Sequence, residues 1–215
     1  MEMEKAAIFD LDGVLLNSED NLDWLTIALK KTLETFNIDP IEENIKKIHS
    51  KNVHNFQKIS EEFCLPLDHF WQTRNAHYIG EKKRAMKEGS ILPFKDVYIL
   101  NSLKQKFKLG IISNSPQEVV NFFLKEFGYN DLFDFSIGRG GDISDLNKMK
   151  PNSYFFKKLK EHFRGSVFFY VGDSENDRLF ALKTGMKFLY LSRTNHSSKD
   201  GFRSLFQIVD YLLLQ

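Results

Sequence analysis

The sequence predicts an α/β fold built on a doubly wound parallel sheet, and two observations support this prediction. Short apolar runs with the length of buried strands occur at 5–9, 109–112, 167–171 and 188–191. Amphipathic helical patterns lie between the later runs and after the last one. Continuously apolar strands that alternate with such helices are typical of a parallel sheet covered on both faces.

Each element follows from its local pattern. The run Lys5–Phe9 is too short and ends too abruptly for a helix, so it is predicted as the first strand. The helical patterns of the second half of the chain cover 97–107, 116–127, 151–163, 175–184 and 202–214. These segments supply the helices that a doubly wound sheet requires.

Residues 17–90 show a different pattern, with successive helical periodicities and no convincing strand. A helical block between the first strand and the remaining units is predicted to be an insertion at the ligand-binding edge of the sheet. We therefore expect a catalytic core formed by 1–16 and 91–215, with an inserted all-helical cap domain at 17–90.

Composition restricts the class of function. The chain has 215 residues, with 30 Lys and Arg against 29 Asp and Glu, so no charge excess indicates binding to nucleic acid or a membrane surface. No signal-peptide pattern or long apolar span is present. The single cysteine, Cys64, excludes an internal disulfide, fits a reducing cytoplasm and is expected to be buried. We expect a cytoplasmic protein and leave monomer or homodimer open.

The first strand leads directly into Asp10-Leu11-Asp12-Gly13. Residues two apart on an extended chain point the same way, so Asp10 and Asp12 are expected to crowd one side of the strand end. Their repulsion must be offset by a divalent cation, a shared proton or solvent.

Further polar stretches are expected at the same edge, because the carboxyl ends of parallel strands meet in one crevice. Each has an ordinary explanation when taken alone, as a turn, a helix cap or a solvated lysine. Together they supply carboxylates, a hydroxyl and an ammonium group in complementary roles. They are Ser113-Asn114-Ser115, Lys150 before Pro151, and the segment 172–177.

These residue types suit phosphoryl transfer. Asp10 can act as a nucleophile that forms an aspartyl-phosphate, and Asp12 can protonate the leaving oxygen and later deprotonate water. Asp173, with Asp177 as a further candidate, would complete an oxygen-ligand site for Mg²⁺ with Asp10. Two carboxylates would then follow the first strand because nucleophile and proton carrier are separate functions.

The transferring phosphate would need positive charge and hydrogen-bond donors. Lys150 offsets its charge, while the Ser113 hydroxyl and the backbone N–H groups of Gly13 and Asn114 would hold its oxygens. Lys148 is the competing lysine, but Pro151 after Lys150 favours the latter and leaves Lys148 as a surface residue.

The four ordered motifs resemble those of the haloacid dehalogenase superfamily, in particular its branch with phosphoglycolate phosphatase and β-phosphoglucomutase. The resemblance implies a Rossmann-like core with a mobile helical cap. It also implies Mg²⁺ held by the side chains of Asp10 and Asp173 and by the backbone carbonyl of Asp12, with Asp177 as a water-mediated or indirect partner. Within this superfamily, the carboxylate of Asp12 argues against dehalogenation, because halide needs no proton to leave.

Substrate choice is expected to depend on the cap. The candidate loop is His49-Ser50-Lys51-Asn52, in which Lys51 could meet an anionic substrate and His49 could relay protons; ordinary solvated loop residues are the alternative. The stretch 138–142, rich in glycine, is interpreted as a flexible turn and not as a phosphate-binding loop.

The leading functional hypothesis is an enzyme, a Mg²⁺-dependent phosphatase that acts on a small phosphorylated metabolite. A phosphosugar mutase is the alternative within enzymes, because a water-excluding cap would favour transfer over hydrolysis. A phospho-receiver module and a binding protein with vestigial catalytic residues are the alternatives from other classes.

Overall fold

A computed structural model describes residues 4–49, 52–193 and 201–215. Its centre is one sheet of five parallel strands in the order β3-β2-β1-β4-β5. The strands are β1 Lys5–Phe9, β2 Lys108–Pro116, β3 Phe135–Arg139, β4 Val167–Gly172 and β5 Lys187–Tyr190. The predicted α/β fold with a doubly wound parallel sheet is confirmed.

Among the described residues, four helices precede β2, and four more follow it. The first group is α1 Asp23–Thr35, α2 Glu42–Ile48, α3 Val53–Glu62 and α4 Leu67–Lys87. The second group is α5 Gln117–Glu126, α6 Tyr154–His162, α7 Glu175–Thr184 and α8 Leu205–Leu213. Two 3₁₀ segments, Val97–Leu103 and Ile143–Lys148, complete the set, and the first replaces most of the helix predicted at 97–107.

The sheet is covered on both faces, and β1 shows this directly. Ala7 and Phe9 lie in one buried apolar cluster, whereas Ala6 and Ile8 lie in a second one. Successive side chains of a strand point to opposite faces, so a central strand in a two-faced layer must be apolar throughout. This requirement explains the unbroken apolar run that predicted β1.

Strand register fixes where the functional loops meet. Phe9 is paired with Ile111 of β2 and with Val171 of β4. The polar residues that follow these three strands therefore leave the sheet side by side, at one edge. The sequence motifs converge because the three strands are parallel and their carboxyl ends lie at nearly the same level of the sheet.

Strand β3 was not predicted, and the interpretation of 138–142 as a flexible turn is wrong for its first two residues. The strand is at the sheet edge and has few bulky apolar residues, so its pattern is weak. A side chain at Gly138 would lie 2.6 Å from the carbonyl oxygen of Ser115. The glycine therefore permits close approach of β3 to β2 and does not mark a turn.

Cys64 is exposed, so the prediction that it is buried is wrong. It follows the end of α3 with a φ of 52°, and its N–H donates to the carbonyl of Glu61. A residue in this left-handed position closes a helix and turns its side chain away from the packed face. Burial of a lone cysteine cannot be inferred from residue type when a helix ends there.

The two connections between α1–α4 and the sheet lie next to each other. The Asn17 N–H donates to the Leu92 carbonyl at 3.0 Å, and the Leu92 N–H donates to Asn17 Oδ1 at 2.6 Å. The division into a core at 1–16 and 91–215 and a cap at 17–90 stays a prediction. In the described part of the chain, no helix is long and apolar enough to cross a membrane.

Candidate active site

Asp10 lies at the end of β1 and is buried. Its N–H donates to the Val171 carbonyl at 2.9 Å, and its Oδ1 accepts the Leu11 N–H at 2.7 Å. Lys150 Nζ is 2.9 Å from the same Oδ1. Burial raises the pKa of Asp10 well above its usual range, against the opposing charge of Lys150 and with the added repulsion of Asp177. The carboxylate therefore needs positive charge beside it to stay ionised.

Lys150 supplies one such charge. Its Nζ lies 2.7 Å from Asp177 Oδ1 and donates to the Tyr170 hydroxyl at 2.7 Å and to the Ile112 carbonyl at 3.3 Å. Burial alone would lower its pKa, but the two carboxylates of Asp10 and Asp177 raise it above the usual value. Lys150 is therefore a fixed buried cation between two acids.

Asp177 is placed by the start of helix α7. Ser174 is the N-cap residue, and its N–H and hydroxyl both donate to Asp177 Oδ2, at 3.2 Å and 2.5 Å. The two residues form a reciprocal capping box. Asp177 thus anchors the helix with one oxygen and holds Lys150 and the Tyr170 hydroxyl with the other.

Asp10, Asp173 and Asp177 each offer a carboxylate oxygen that lies within 4.8 Å of the other two. Three hard oxygen donors at this spacing fit Mg²⁺. Burial raises the pKa of Asp173 to about 7, with added repulsion from Glu19 and Asp177. Such crowding of acids is what a bound divalent cation would relieve.

Gly13 permits this crowding. It has a φ of +75°, and a Cβ built on it would lie 1.9 Å from Asp173 Oδ2. Its N–H donates to the Leu16 carbonyl at 2.9 Å, so the predicted contact of that N–H with phosphate is not available in this arrangement. Gly13 belongs to the site because it leaves room for Asp173.

Asp12 faces away from the three acids and into a network of its own. The Ser18 hydroxyl and Lys82 Nζ both donate to its Oδ1, the latter at 2.5 Å, while the Ser115 hydroxyl donates to Oδ2 at 2.7 Å. Burial would raise the pKa of Asp12, but the Lys82 charge and these hydrogen bonds hold it below its usual value. The two acids of the Asp10-Leu11-Asp12 motif therefore have opposite electrostatic environments.

Lys82, which sequence reasoning missed, comes from α4 and is 1 % exposed. Its Nζ also donates to the Ser115 hydroxyl at 2.9 Å and stands over the rings of Trp24, at 5.1 Å, and Tyr78, at 5.7 Å. Within a stretch of charged helical residues, nothing separates this lysine from its solvated neighbour Lys83. Only the packing of α4 against the sheet edge identifies it.

Ser113 and Asn114 lie beside this cluster on β2. Ser113 is buried, and its hydroxyl accepts the Ser115 N–H at 3.0 Å. Asn114 Oδ1 accepts the Lys150 N–H at 2.7 Å, and its Nδ2 donates to the Lys150 carbonyl at 3.3 Å. The Asn114 side chain therefore holds the backbone of Lys150 in place. Lys148 is instead paired with Asp145, at 2.7 Å.

A cavity of about 840 Å³ opens above these residues. Asp10, Asp12, Ser113, Lys150 and Asp173 line its floor. Its roof comes largely from α1 and α4 and consists of aromatic and cationic side chains, together with His49 from the predicted specificity loop. The roof side chains are Trp24, Trp71, Arg74, Tyr78 and Lys82. Lys51 lies outside the described residues.

Contacts between α4 and the sheet side close the cavity. Trp71 Nε1 donates to the Gly141 carbonyl at 2.7 Å, and Arg139 Nη2 donates to Asn75 Oδ1 at 2.5 Å. With the Lys82–Asp12 ion pair, these bonds join the two sides at three points. The arrangement is a polar floor under an aromatic roof.

Comparison with solved structures shows the same fold in several proteins. A predicted phosphoglycolate phosphatase from Haemophilus somnus 129pt is 24 % identical, with a TM-score of 0.70 and 99 % of each chain covered. A HAD phosphatase from Thermococcus onnurineus is 23 % identical, with a TM-score of 0.62 and 97 % of each chain covered. A predicted β-phosphoglucomutase from Thermotoga maritima is 17 % identical, with a TM-score of 0.64, covering 98 % of this chain and 99 % of the other.

A search of curated proteins finds no match. The family model described as haloacid dehalogenase-like hydrolase matches residues 7–191, which is most of the chain and includes all four motifs. The predicted resemblance and the prediction of a hydrolase enzyme are thereby confirmed. The chain belongs to the haloacid dehalogenase-like hydrolase family.

Proposed function

We propose that this protein is a Mg²⁺-dependent phosphatase that hydrolyses a small phosphorylated metabolite through an aspartyl-phosphate. One observation carries the proposal: three carboxylate oxygens, from Asp10, Asp173 and Asp177, lie within 4.8 Å of one another, with Lys150 Nζ 2.9 Å from Asp10. This donor set suits a divalent cation and a phosphate together. The HAD phosphatase among the structural relatives supports the same activity.

Asp10 is proposed as the nucleophile. One of its oxygens attacks phosphorus as the bond from phosphorus to the leaving oxygen breaks, and the leaving oxygen takes up a proton. Lys150 and the Ser113 hydroxyl offset the charge of the phosphoryl group and orient it. Asp10, Asp173 and Asp177, with the backbone carbonyl of Asp12, would hold Mg²⁺, and the ion would supply positive charge that offsets the crowded acids and the phosphate.

Asp12 is proposed to handle the protons. In the second step it takes a proton from the water that attacks the aspartyl-phosphate, which releases phosphate and restores Asp10. Its lowered pKa keeps Asp12 ionised, which is the state that can accept a proton. In the first step Asp12 passes to the leaving oxygen a proton that it takes from the ammonium of Lys82, bonded to it at 2.5 Å, and the proton removed from water in the second step restores that ammonium.

A phosphosugar mutase is the second candidate, and the bonds between roof and floor favour it. The bonds from Trp71 and Lys82 hold the roof to the sheet side, and a roof held there would limit the access of water to the floor. A phosphoryl group on Asp10 could then return to a reoriented sugar before water attacks it. The predicted β-phosphoglucomutase among the structural relatives supports this candidate. For either activity we propose a cytoplasmic monomer or homodimer.

The experiment is a screen of phosphorylated metabolites with Mg²⁺, in which free phosphate and isomer formation are measured in parallel. We expect phosphate release that stops when the metal is chelated and returns when Mg²⁺ is added back. Isomer formation without phosphate would support the mutase. A stable phosphoprotein without turnover of p-nitrophenyl phosphate would contradict both and favour a receiver module.

A further inference from the structure

A second cationic centre lies where the roof of the cavity meets the end of β3, apart from Lys82 and Lys150. Arg74, from α4, is 6 % exposed, and Arg139, from the end of β3, is 4 % exposed. Both line the cavity that contains the catalytic floor. Two guanidinium groups are thus removed from bulk water and directed to the same space.

The Arg139 charge is not neutralised by the described part of the chain. Its Nη2 donates to the neutral oxygen of Asn75, and its Nη1 donates to the Gly140 carbonyl at 3.1 Å. Burial lowers the pKa of Arg139 against the smaller, opposing effects of Tyr78 and Asp145, and Asp145 is itself paired with Lys148. No carboxylate of the described residues lies within 4.0 Å of Arg139, and an uncompensated buried charge is costly.

Arg74 adds a second charge to the same region. Its Nε donates to the Ile48 carbonyl at 3.0 Å, and its guanidinium stands over the rings of Phe56 and Trp71, at 5.1 and 5.8 Å. Burial, and then the nearby charge of Arg139, lowers its pKa to about 10. Guanidinium groups stay protonated at neutral pH, and an anion between these two would offset the repulsion between them.

Tyr78 connects this centre to the catalytic floor. The centroid of its ring is 6.0 Å from the guanidinium carbons of both arginines and 5.7 Å from Lys82 Nζ. Lys82 in turn contacts Asp12, the residue proposed to serve the leaving oxygen. The arginines thus lie one aromatic ring beyond the position where the leaving group of the substrate would start.

We infer that Arg74 and Arg139 form a subsite for a second anionic group, carried by the leaving part of the substrate. The inference rests on the proposed phosphatase function and narrows its substrate class to phosphomonoesters with a further carboxylate or phosphate. Guanidinium groups bind such planar or tetrahedral oxyanions through paired hydrogen bonds. The rings of Trp71 and Tyr78 exclude water around them, which strengthens those bonds.

The test uses matched substrates that differ only in the distal group: propyl phosphate, 2-carboxyethyl phosphate and ethylene glycol bisphosphate. We expect kcat/KM for at least one anionic substrate to exceed that for propyl phosphate by at least about tenfold, the effect of one charge-assisted hydrogen bond. A carboxylate site favours the second substrate, and a phosphate site favours the third. Equal values for all three would overturn the subsite and leave the phosphatase intact.

Arg139→Met and Arg74→Met should each bring the ratio of kcat/KM values between anionic and neutral substrates close to one. Arg139→Lys, which keeps the charge without the planar fork, should retain part of the preference. If Arg139 only fastens α4 to β3, its replacement would lower the values for all three substrates equally and leave the ratio unchanged, which would overturn the inference. Failure to hydrolyse any of the three would instead reject the proposed function and the subsite with it.

Arg84→Met is the matched control, because it removes an arginine of the same helix that is 43 % exposed and bound to Glu81 and Glu88. We expect this variant to keep the wild-type ratio. Melting temperatures of all four variants distinguish a folding defect from loss of the subsite. A control variant that also lost the preference would show that the effect is not specific to the cavity arginines.

Discussion

The floor and the roof of the cavity are built on different principles. The floor consists of short motifs at strand ends, where acids and Lys150 compensate one another within 3 Å. The roof consists of one face of α4, on which Arg74, Tyr78 and Lys82 recur at intervals of four residues. The floor therefore holds a fixed set of charges for one chemical step, while the roof presents aromatic surface and positive charge to the bound substrate.

This difference assigns the chemical step to the floor of the cavity and the choice of substrate to its roof. Residues at strand ends are fixed by the sheet register, so a nucleophile and its partners there keep their geometry when the roof changes. A helix face can exchange side chains without disturbing that geometry. Changes to the floor should therefore affect turnover of every substrate, and changes to the roof should affect which substrate is turned over.

The largest effect is expected at the floor. Asp10→Asn should reduce turnover of any phosphomonoester by at least about 10³-fold, because the amide cannot attack phosphorus. Removing a buried acid whose pKa is raised should leave the fold intact. Phosphate release and circular dichroism of the pure variant check both statements. Retained turnover in a folded variant would remove Asp10 from its assigned role.

Asp12→Asn should affect phosphorylation of Asp10 and hydrolysis of the aspartyl-phosphate differently. Turnover of alkyl phosphates should fall by about 10²- to 10⁴-fold, the usual contribution of a general acid–base group. With p-nitrophenyl phosphate, whose leaving group needs no proton, phosphorylation of Asp10 should continue while hydrolysis stops. Intact-mass measurement should then detect one added phosphoryl group. Its absence, together with unchanged steady-state rates, would show that Asp12 does not handle protons.

Lys82→Met tests how much the ion pair between Lys82 in the roof and Asp12 in the floor stabilises the protein. The variant keeps the side-chain volume but leaves Asp12 without its cation. We expect the free energy of unfolding to fall by roughly 2–4 kcal/mol. This is the low end of the range for breaking a buried ion pair, because the Asp12 side chain is 21 % exposed. Lys83→Met is the control: this lysine has a more exposed pair with Glu118, so urea unfolding should show a change of at most about 1 kcal/mol.

Alanine substitutions at Gly13 and Gly128 distinguish the crowding of a new side chain against Asp173 from the backbone strain of a positive φ. Both Gly13, with a φ of +75°, and Gly128, with a φ of +72°, resist replacement by alanine, at a cost of about 1–2 kcal/mol each. Only at Gly13 would the new Cβ meet a neighbour, Asp173, whereas nothing lies within 4 Å at Gly128. We expect Gly13→Ala to cost roughly 1–3 kcal/mol more and to weaken Mg²⁺ binding. Equal melting temperatures and Mg²⁺ affinities for the two variants would contradict the crowding.

Most of the fold was predictable because buried parallel strands must be apolar on both faces. The rule missed the edge strand β3, because its residues are only partly covered and few are bulky and apolar, and because Gly138 has the composition of a turn while serving close strand packing. The exposed Cys64 shows a similar limit, since the end of a helix can override residue type.

At the site, sequence reasoning identified the residues of the four motifs, which lie at or next to strand ends, and missed the cations of α4. Asp10, Asp173 and Lys150 follow or face strand ends, where position along the chain implies position in space. Lys82 and Arg74 belong to a long charged helix, in which a buried cation and a solvated one have the same local pattern. Their burial depends on how α4 lies against the sheet.

The sequence by itself determined the α/β class, the four motifs and the type of chemistry, because alternation of apolar strands and helices and the residues at strand ends are local properties. Tertiary structure alone decided which side chains form the roof, how Asp12 is paired, and where Arg74 and Arg139 meet. Those outcomes depend on contacts between segments far apart in the chain. Their geometry is set by packing, which no local pattern encodes.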